Sequence, residues 1–321
     1  MPGEFDLIGR VRARAGTRPD VLLGIGDDAA LLRVPNDHEL VVSTDTLIAG
    51  VHFPNETAPA DIGWKALAVN LSDLAAMAAT PAWAVLALTL PSDDGEWLDG
   101  FLDGFEELAR RHEVALVGGD TTRGPLSITI TVHGFVPTGM ALRRSGARVG
   151  DDLWVTGTLG DAAGALAQWR RGGPRSAKLR YRLDRPTPRI AEALALRGLA
   201  TAAIDVSDGL AADLGHLIAA SSVGAQIDLG RLPTSRILAD HFADEHERWR
   251  LQLSGGDDYE LCFTAPASNA LAIEQALAAC AASATVIGAV IAERGLAFAT
   301  PDGDTFELNA SGYDHFAGGH A

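Results

Sequence analysis

Short apolar runs with a two-residue repeat alternate along this chain with longer stretches whose apolar residues recur at helical spacing. That alternation confines it to an α/β or α+β architecture. Residues 39–44 (ELVVST), 82–90 and 126–136 read as strands, and 114–117 as a short buried one. Residues 61–78 and 96–112 read as helices, the first with Asp61 at its N-cap. The pattern breaks over residues 144–152 (RSGARVGDD), ahead of a new apolar strand at Leu153-Trp154-Val155. A boundary near 140–150 follows, with an N-terminal domain over 1–145 and a C-terminal domain over 146–321. The second half reads as helices over 161–170, 188–199, 208–221, 236–243 and 267–281. Strands over 202–205, 225–229 and 259–264 are interleaved with them, and short strands finish the chain. Residues 170–189, rich in Arg, Gly and Pro, read as a mobile surface segment.

Charge narrows the function. The net charge of −16 repels phosphate backbones, which argues against a nucleic-acid partner. The same excess suits a protein that holds divalent cations, and equally a soluble surface. The two cysteines, Cys262 and Cys280, form no C-x-x-C pair, so neither a disulfide framework nor a zinc site is indicated. The first residues lack a basic stretch followed by an apolar run, so no signal peptide is expected. The longest apolar run, Ala82 to Leu90, is too short to cross a bilayer. A cytoplasmic protein without membrane contact is the expectation.

No Walker A loop, G-x-S-x-G elbow or H-E-x-x-H helix is present. What recurs is aspartate beside glycine or hydroxyl residues at the ends of apolar segments. Gly24-Ile25-Gly26-Asp27-Asp28 sets two carboxylates side by side, a repulsion that a shared cation relieves. Ser43-Thr44-Asp45 offers hydroxyl and carboxylate oxygens, the ligands a hard ion takes, and His52 follows in a glycine-containing loop. Asp73 lies on a helix apolar around most of its circumference, sharing a face with Asn70. A carboxylate there needs a partner, either a metal, Lys65 or a backbone amide. Gly118-Gly119-Asp120-Thr121-Thr122 reads as a phosphate loop with a metal ligand. Asp205-Val206-Ser207-Asp208 has one residue explicable as a helix cap, but not all three polar ones. Ser254-Gly255-Gly256-Asp257-Asp258 repeats the pattern ahead of a strand. Taken singly, each also reads as a turn. Together they suggest a multi-metal site assembled from both halves, since carboxylates meet a polyphosphate only through intervening cations.

These motifs, GIGDDAALL (24–32), STDTLIAGVHF (43–53), KALAVNLSDLAAM (65–77), GGDTTRGP (118–125), IDVSDGL (204–210) and SGGDDYELCF (254–263), resemble those of the thiamine-monophosphate kinase family, with GYDHF (312–316) near the end. The resemblance spans essentially the whole chain. It implies a two-domain, aminoimidazole-ribonucleotide-synthase-like fold whose N-terminal domain forms a β-barrel with a second copy in a homodimer. It also implies that ATP phosphorylates thiamine phosphate to thiamine diphosphate with several magnesium ions (Mg2+). By the same resemblance Asp28, Ser43, Thr44, Asp45, Asp73, Asp120, Asp205 and Asp208 match metal-ligand positions, with Asp45, Asp73, Asp120 and Asp205 catalytic. Gly119, Asp120, Arg144 and Ser207 match ATP-contacting positions, and His52, Asp257 and Tyr313 match positions near thiamine phosphate. Asp257 departs from the glutamate expected there. Another ATP-dependent enzyme of the superfamily is the nearest alternative, although a selenophosphate synthetase would carry a reactive cysteine near its start and the first cysteine here is Cys262. A non-catalytic nucleotide-binding module is the alternative from a different class, and a calcium-binding protein a third, without EF-hand spacing to support it.

Overall fold

In the structure, a computed structural model that describes residues 4–172 and 175–308, the strand-forming runs of the first half assemble into a four-stranded sheet. Its unit comprises residues 4–74 and 78–141, and residues 75–77 group with the second unit, which runs from 142. The first unit contains α1 (Glu4–Arg14), β1 (Val21–Leu23), β2 (Leu31–Leu32), β3 (His38–Ile48), α2 (Pro59–Ala76), β4 (Thr80–Leu90), α3 (Gly95–Arg111), β5 (Ala115–Arg123) and β6 (Ser127–Pro137). The sheet order is β3-β6-β4-β5, antiparallel except for β4 with β5, and β1 and β2 form a separate hairpin around residues 24–30.

The fully apolar stretch of α2 is buried as its composition demands, with Ala66, Leu67, Ala68, Leu71 and Leu74 wholly inaccessible. The helix starts at Pro59, two residues before Asp61, which therefore sits in the first turn rather than at the N-cap. Proline favours that first helical position because its missing N–H is one the helix cannot use. Backbones touch where α2 crosses α3. A Cβ on Gly63 would lie 1.9 Å from the Phe101 carbonyl oxygen, and one on Gly104 1.7 Å from that of Ala60. Only glycine permits so close a crossing.

The second unit contains β7 (Asp151–Thr156), α4 (Asp161–Arg171), α5 (Ala177–Asp184), α6 (Ile190–Ala195), β8 (Ala202–Val206), α7 (Leu210–Ser221), β9 (Gly224–Asp228), α8 (Arg236–His241), α9 (Glu245–Ser254), β10 (Glu260–Pro266), α10 (Ala270–Ala279), β11 (Ala284–Ile291) and β12 (Gly295–Ala299). Six strands pair in the order β12-β9-β11-β7-β10-β8, with only β12 and β9 parallel. One core joins Leu153, Val155, Ile204, Val206 and Cys262 of the sheet to Leu210, Leu214 and Leu217 of α7. Trp154 and Phe263, neighbours in register, stack with ring centroids 5.9 Å apart. The architecture is the mixed α/β fold expected.

Over 175–189 the chain is not the mobile surface segment its composition suggested. Ser176 caps α5, and Leu179 and Leu183 are buried against Ala162, Ala165, Leu238 and Phe242. The expected helix over 188–199 is confined to α6, whereas α1 and α9 carry no helix in the sequence reading. Their apolar residues are too few for a clear helical repeat, and packing partners make up the difference.

Gly104→Ala would ordinarily favour a helix by about 1 kcal/mol. Here the added methyl meets the Ala60 carbonyl, so the sign reverses. The variant is expected to lose about 2 kcal/mol or more, read as a lower urea midpoint. An unchanged or raised midpoint would mean that the two helices part without penalty.

Candidate active site

In the first unit the polar residues concentrate where α2 meets β3. Side chains alternate along β3, so Ser43 and Asp45 are half-buried on one face while Thr44 and Thr46 are exposed on the other. Ser43 donates its hydroxyl to Asp73 Oδ2. One helical turn away, Asn70 accepts the Asp45 N–H at 3.0 Å and donates to the Ala66 carbonyl at 2.9 Å. Asn70 is wholly buried and uses both ends of its amide. The same face of α2 thus holds two successive odd positions of β3. Thr44 does not join them: its hydroxyl donates to the Ile130 carbonyl at 3.1 Å and pairs with Thr131 across the sheet.

Asp28 is exposed in the β1–β2 hairpin, and its N–H is taken by Asp27 Oδ1 at 2.9 Å. Asp120 is exposed on β5, in register with Ala87. Gly119 before it has a structural reason to lack a side chain, since a Cβ would lie 1.9 Å from the Leu86 carbonyl oxygen. His52 Nδ1 accepts the Ile48 N–H at 3.0 Å, which leaves the neutral ring its proton on Nε2. Lys65, nearly inaccessible, donates to the His52 carbonyl at 3.1 Å and so fixes that loop from below.

In the second unit two loops lie backbone on backbone. The Asp257 N–H donates to the Ser207 carbonyl and the Tyr259 N–H to the Val206 carbonyl, each at 2.8 Å. A Cβ on Gly256 would lie 2.4 Å from the Ser207 carbonyl oxygen. Asp257 and Tyr259 both have positive φ, 70° and 51°, a conformation that ordinary residues hold only when their surroundings enforce it. Asp257 is half-buried and accepts the Tyr259 hydroxyl at 3.1 Å, while Asp205 is buried at the end of β8 and Ser207 and Asp208 are half-buried. Arg144 is exposed, its carbonyl held by Ser221 Oγ at 2.9 Å. Tyr313 lies outside the described residues.

Asp213 went unrecognised in the sequence, and Asp258 and Glu260 were noted there only as members of the 254–263 motif. Asp213 Oδ2 accepts the N–H groups of Ser207 and Asp208 at 2.9 and 3.0 Å. Burial pushes its carboxyl up to about 7, against the pull of those amides. Both Asp258 oxygens accept the Gly160 N–H, at 3.0 and 2.8 Å, and burial holds this carboxyl well above its usual range. Glu260, wholly buried, receives Arg189 through two nitrogens, Arg182 at 3.0 Å and Thr156 Oγ1 at 2.8 Å. A carboxylate placed on the apolar face of a helix, the pattern that singled out Asp73, also holds for Asp213. The 254–263 motif contains Asp258 and Glu260, but nothing in it shows that they turn into the protein rather than toward a ligand.

Among the described residues no three His, Cys, Asp or Glu side chains converge as a metal-binding group. The donors are oxygen atoms throughout. Magnesium binds through one or two carboxylates, keeping waters and substrate phosphates for its other positions, so single and paired acids of this kind fit it where they would not fit zinc. No helix among the described residues is long and apolar enough to cross a membrane.

Residues 26–136 match the family described as AIR synthase related protein, N-terminal domain, and residues 148–300 its C-terminal domain. The chain is 52% identical to the thiamine-monophosphate kinase of Escherichia coli (strain K12) over 323 residues, covering 98% of each. It superposes on the crystal structure of thiamine-monophosphate kinase from Stenotrophomonas maltophilia K279a with a TM-score of 0.87 at 51% identity, covering 95% of this chain and 98% of that one. AaThiL complexed with AMPPCP and TMP matches with a TM-score of 0.77 at 30% identity, over 98% of this chain and 97% of the other.

Glu260→Gln leaves two half-buried arginines facing a buried neutral amide. Breaking a buried ion pair in this way is expected to lower stability by about 3 kcal/mol, measured by chemical denaturation. A loss below about 1 kcal/mol would mean that the arginines find other acceptors.

Proposed function

This chain belongs to the thiamine-monophosphate kinases of the AIR synthase related family, and on that premise we propose how its residues serve the reaction. It is a phosphotransferase: ATP and thiamine phosphate give ADP and thiamine diphosphate. Near-full-length identity with enzymes of that activity carries the assignment.

The chemistry asks little of a base. The accepting phosphate has a second pKa of about 6, so it is largely ionised at neutral pH and attacks as an anion. What the site must supply is alignment and relief of charge. Asp28, Ser43, Asp45, Asp73 and Asp120 of the first unit, and Asp205 and Asp208 of the second, are the oxygen donors we assign to magnesium. When bound, the ions neutralise phosphate oxygens that the carboxylates alone would repel. Thr44 stands apart in that set, because its hydroxyl already serves the Ile130 carbonyl. The exposed Arg144 guanidinium suits an ATP phosphate, as do the Ser207 hydroxyl and the backbone at Gly119 and Asp120. His52, with its proton on Nε2, donates to thiamine phosphate, and Asp257 and Tyr313 complete that substrate's contacts. Asp257, one methylene shorter than glutamate, reaches it from a backbone held at positive φ.

The N-terminal domain (1–145) takes ATP, metal and the dimer contact, and the C-terminal domain (146–321) carries the remaining ligands. Homodimerisation is supported by the face of β3 away from α2, where Leu40, Val42 and Ile48 are 45%, 53% and 43% exposed. An apolar strip of this kind favours a second copy. Use of ATP, with no membrane-length helix among the described residues, suits a cytoplasmic enzyme.

The test is turnover of ATP and thiamine phosphate with magnesium. Equal amounts of ADP and thiamine diphosphate are expected, and EDTA is expected to abolish both. Asp73→Asn keeps an acceptor for Ser43 but loses the charge. It should retain its melting temperature while its rate falls about a hundredfold or more. ADP formation without thiamine diphosphate would overturn the acceptor, and an active Asp73→Asn would remove Asp73 from the metal set. Val42→Glu is expected to shift the protein from dimer to monomer in light scattering. An unaltered dimer would exclude this face.

A further inference from the structure

The loop between β8 and α7 turns its main chain inward. Ser207 N and Asp208 N both point at one atom, Asp213 Oδ2, at 2.9 and 3.0 Å. Asp213 stands in the first turn of α7 and is 4% exposed. On the other side the Ser207 and Val206 carbonyls take the Asp257 and Tyr259 N–H groups. Gly209, with φ of 113°, closes the turn where a Cβ would lie 3.0 Å from the Leu253 carbonyl oxygen. The main chain is therefore fixed from several directions, while the Ser207 and Asp208 side chains stay half-buried.

This arrangement has a chemical consequence. Amide groups ahead of a helix are the usual cradle for a phosphate. Here two of them are already taken by a carboxylate of the same helix. The loop cannot offer those amides to a nucleotide, so it must meet one through its side chains. The aim of those side chains then depends on the group that holds the amides.

We propose that Asp213 is a positioning residue for the nucleotide. By accepting the Ser207 and Asp208 amides it sets the direction in which the Ser207 hydroxyl and Asp208 carboxylate face ATP and its magnesium, without touching either itself. The proposal rests on the reading that Ser207 and Asp208 serve the nucleotide and metal. Asp213 itself bonds none of the residues assigned to thiamine phosphate, and Asp257 meets the loop only through its N–H to the Ser207 carbonyl.

Steady-state kinetics of the full-length enzyme with magnesium-ATP and thiamine phosphate varied separately test it, using Asp213→Ala, Asp213→Asn, Ser207→Ala and Asp208→Asn. Asp213→Ala is expected to raise the KM for magnesium-ATP and the magnesium concentration for half-activity about tenfold, the effect of losing a charge-assisted hydrogen bond. The KM for thiamine phosphate should change much less. Asp213→Asn keeps an oxygen acceptor and is expected to recover part of the loss. A merely structural role would reduce the amount of folded enzyme and leave both KM values as they were. That result, with Ser207→Ala and Asp208→Asn showing the nucleotide effect, overturns the proposal alone. If Ser207→Ala and Asp208→Asn also leave the nucleotide and magnesium dependence unchanged, the reading of the loop falls and the proposal with it. Should Asp213→Ala not fold, Asp213→Glu, which moves the acceptor by one methylene, carries the same test. A selective rise in KM for magnesium-ATP supports positioning, and unchanged KM values overturn it.

Discussion

A carboxylate with no exposed surface needs well-aligned partners, and Glu260 sets that condition for the second unit. It starts β10, the strand flanked by β7 and β8, where water cannot solvate it. Taking such a group out of water costs several kcal/mol unless its partners are well aligned. Arg189 meets it with two nitrogens, Arg182 with one and Thr156 with a hydroxyl, so each Glu260 oxygen has more than one donor. The arginines come from α5 and from the residue before α6. Satisfying one acid therefore draws the whole 176–190 stretch onto the sheet. Gly157 is part of the same requirement, since a Cβ there would lie 2.2 Å from a Glu260 oxygen.

The first unit solves a related problem with a hydroxyl, an amide and a backbone N–H. A buried helix that must hold polar residues can do so only if each finds a partner. Asn70 and Asp73, three residues apart on α2, find theirs on Asp45 and Ser43, two residues apart on β3. The helical and strand periods coincide over that short distance. One pair of side chains therefore fixes both the register of helix against strand and the face on which Ser43 and Asp45 emerge.

Aspartate does two kinds of work in this protein. Asp208 and Asp257 are half-buried in the loops, and Asp205 is buried near the end of β8. Asp213 and Asp258 are buried and hold backbone N–H groups of the loops. Burial raises the carboxyl of both, as expected where desolvation outweighs the amides they accept. Adjacent residues divide these tasks: Asp257 is half-buried and Asp258 inaccessible, a division set by positive φ at Asp257 and Tyr259.

The sequence by itself determined the alternation of strands and helices, the mixed α/β class, the buried character of α2 and the family, because these depend on local periodicity and on motifs in fixed order. It also marked Asp73, since a charged residue inside an apolar helical repeat is conspicuous. Tertiary structure alone decided that Thr44 turns away from Ser43 and Asp45, because a strand's alternation gives no sign of which face is covered until α2 packs. It decided that Arg182 and Arg189 turn inward, because composition records charge but not the distant acid that neutralises it. And it decided which of two neighbouring aspartates, 257 or 258, is buried, because that choice follows from backbone angles imposed by a loop some fifty residues away in the chain.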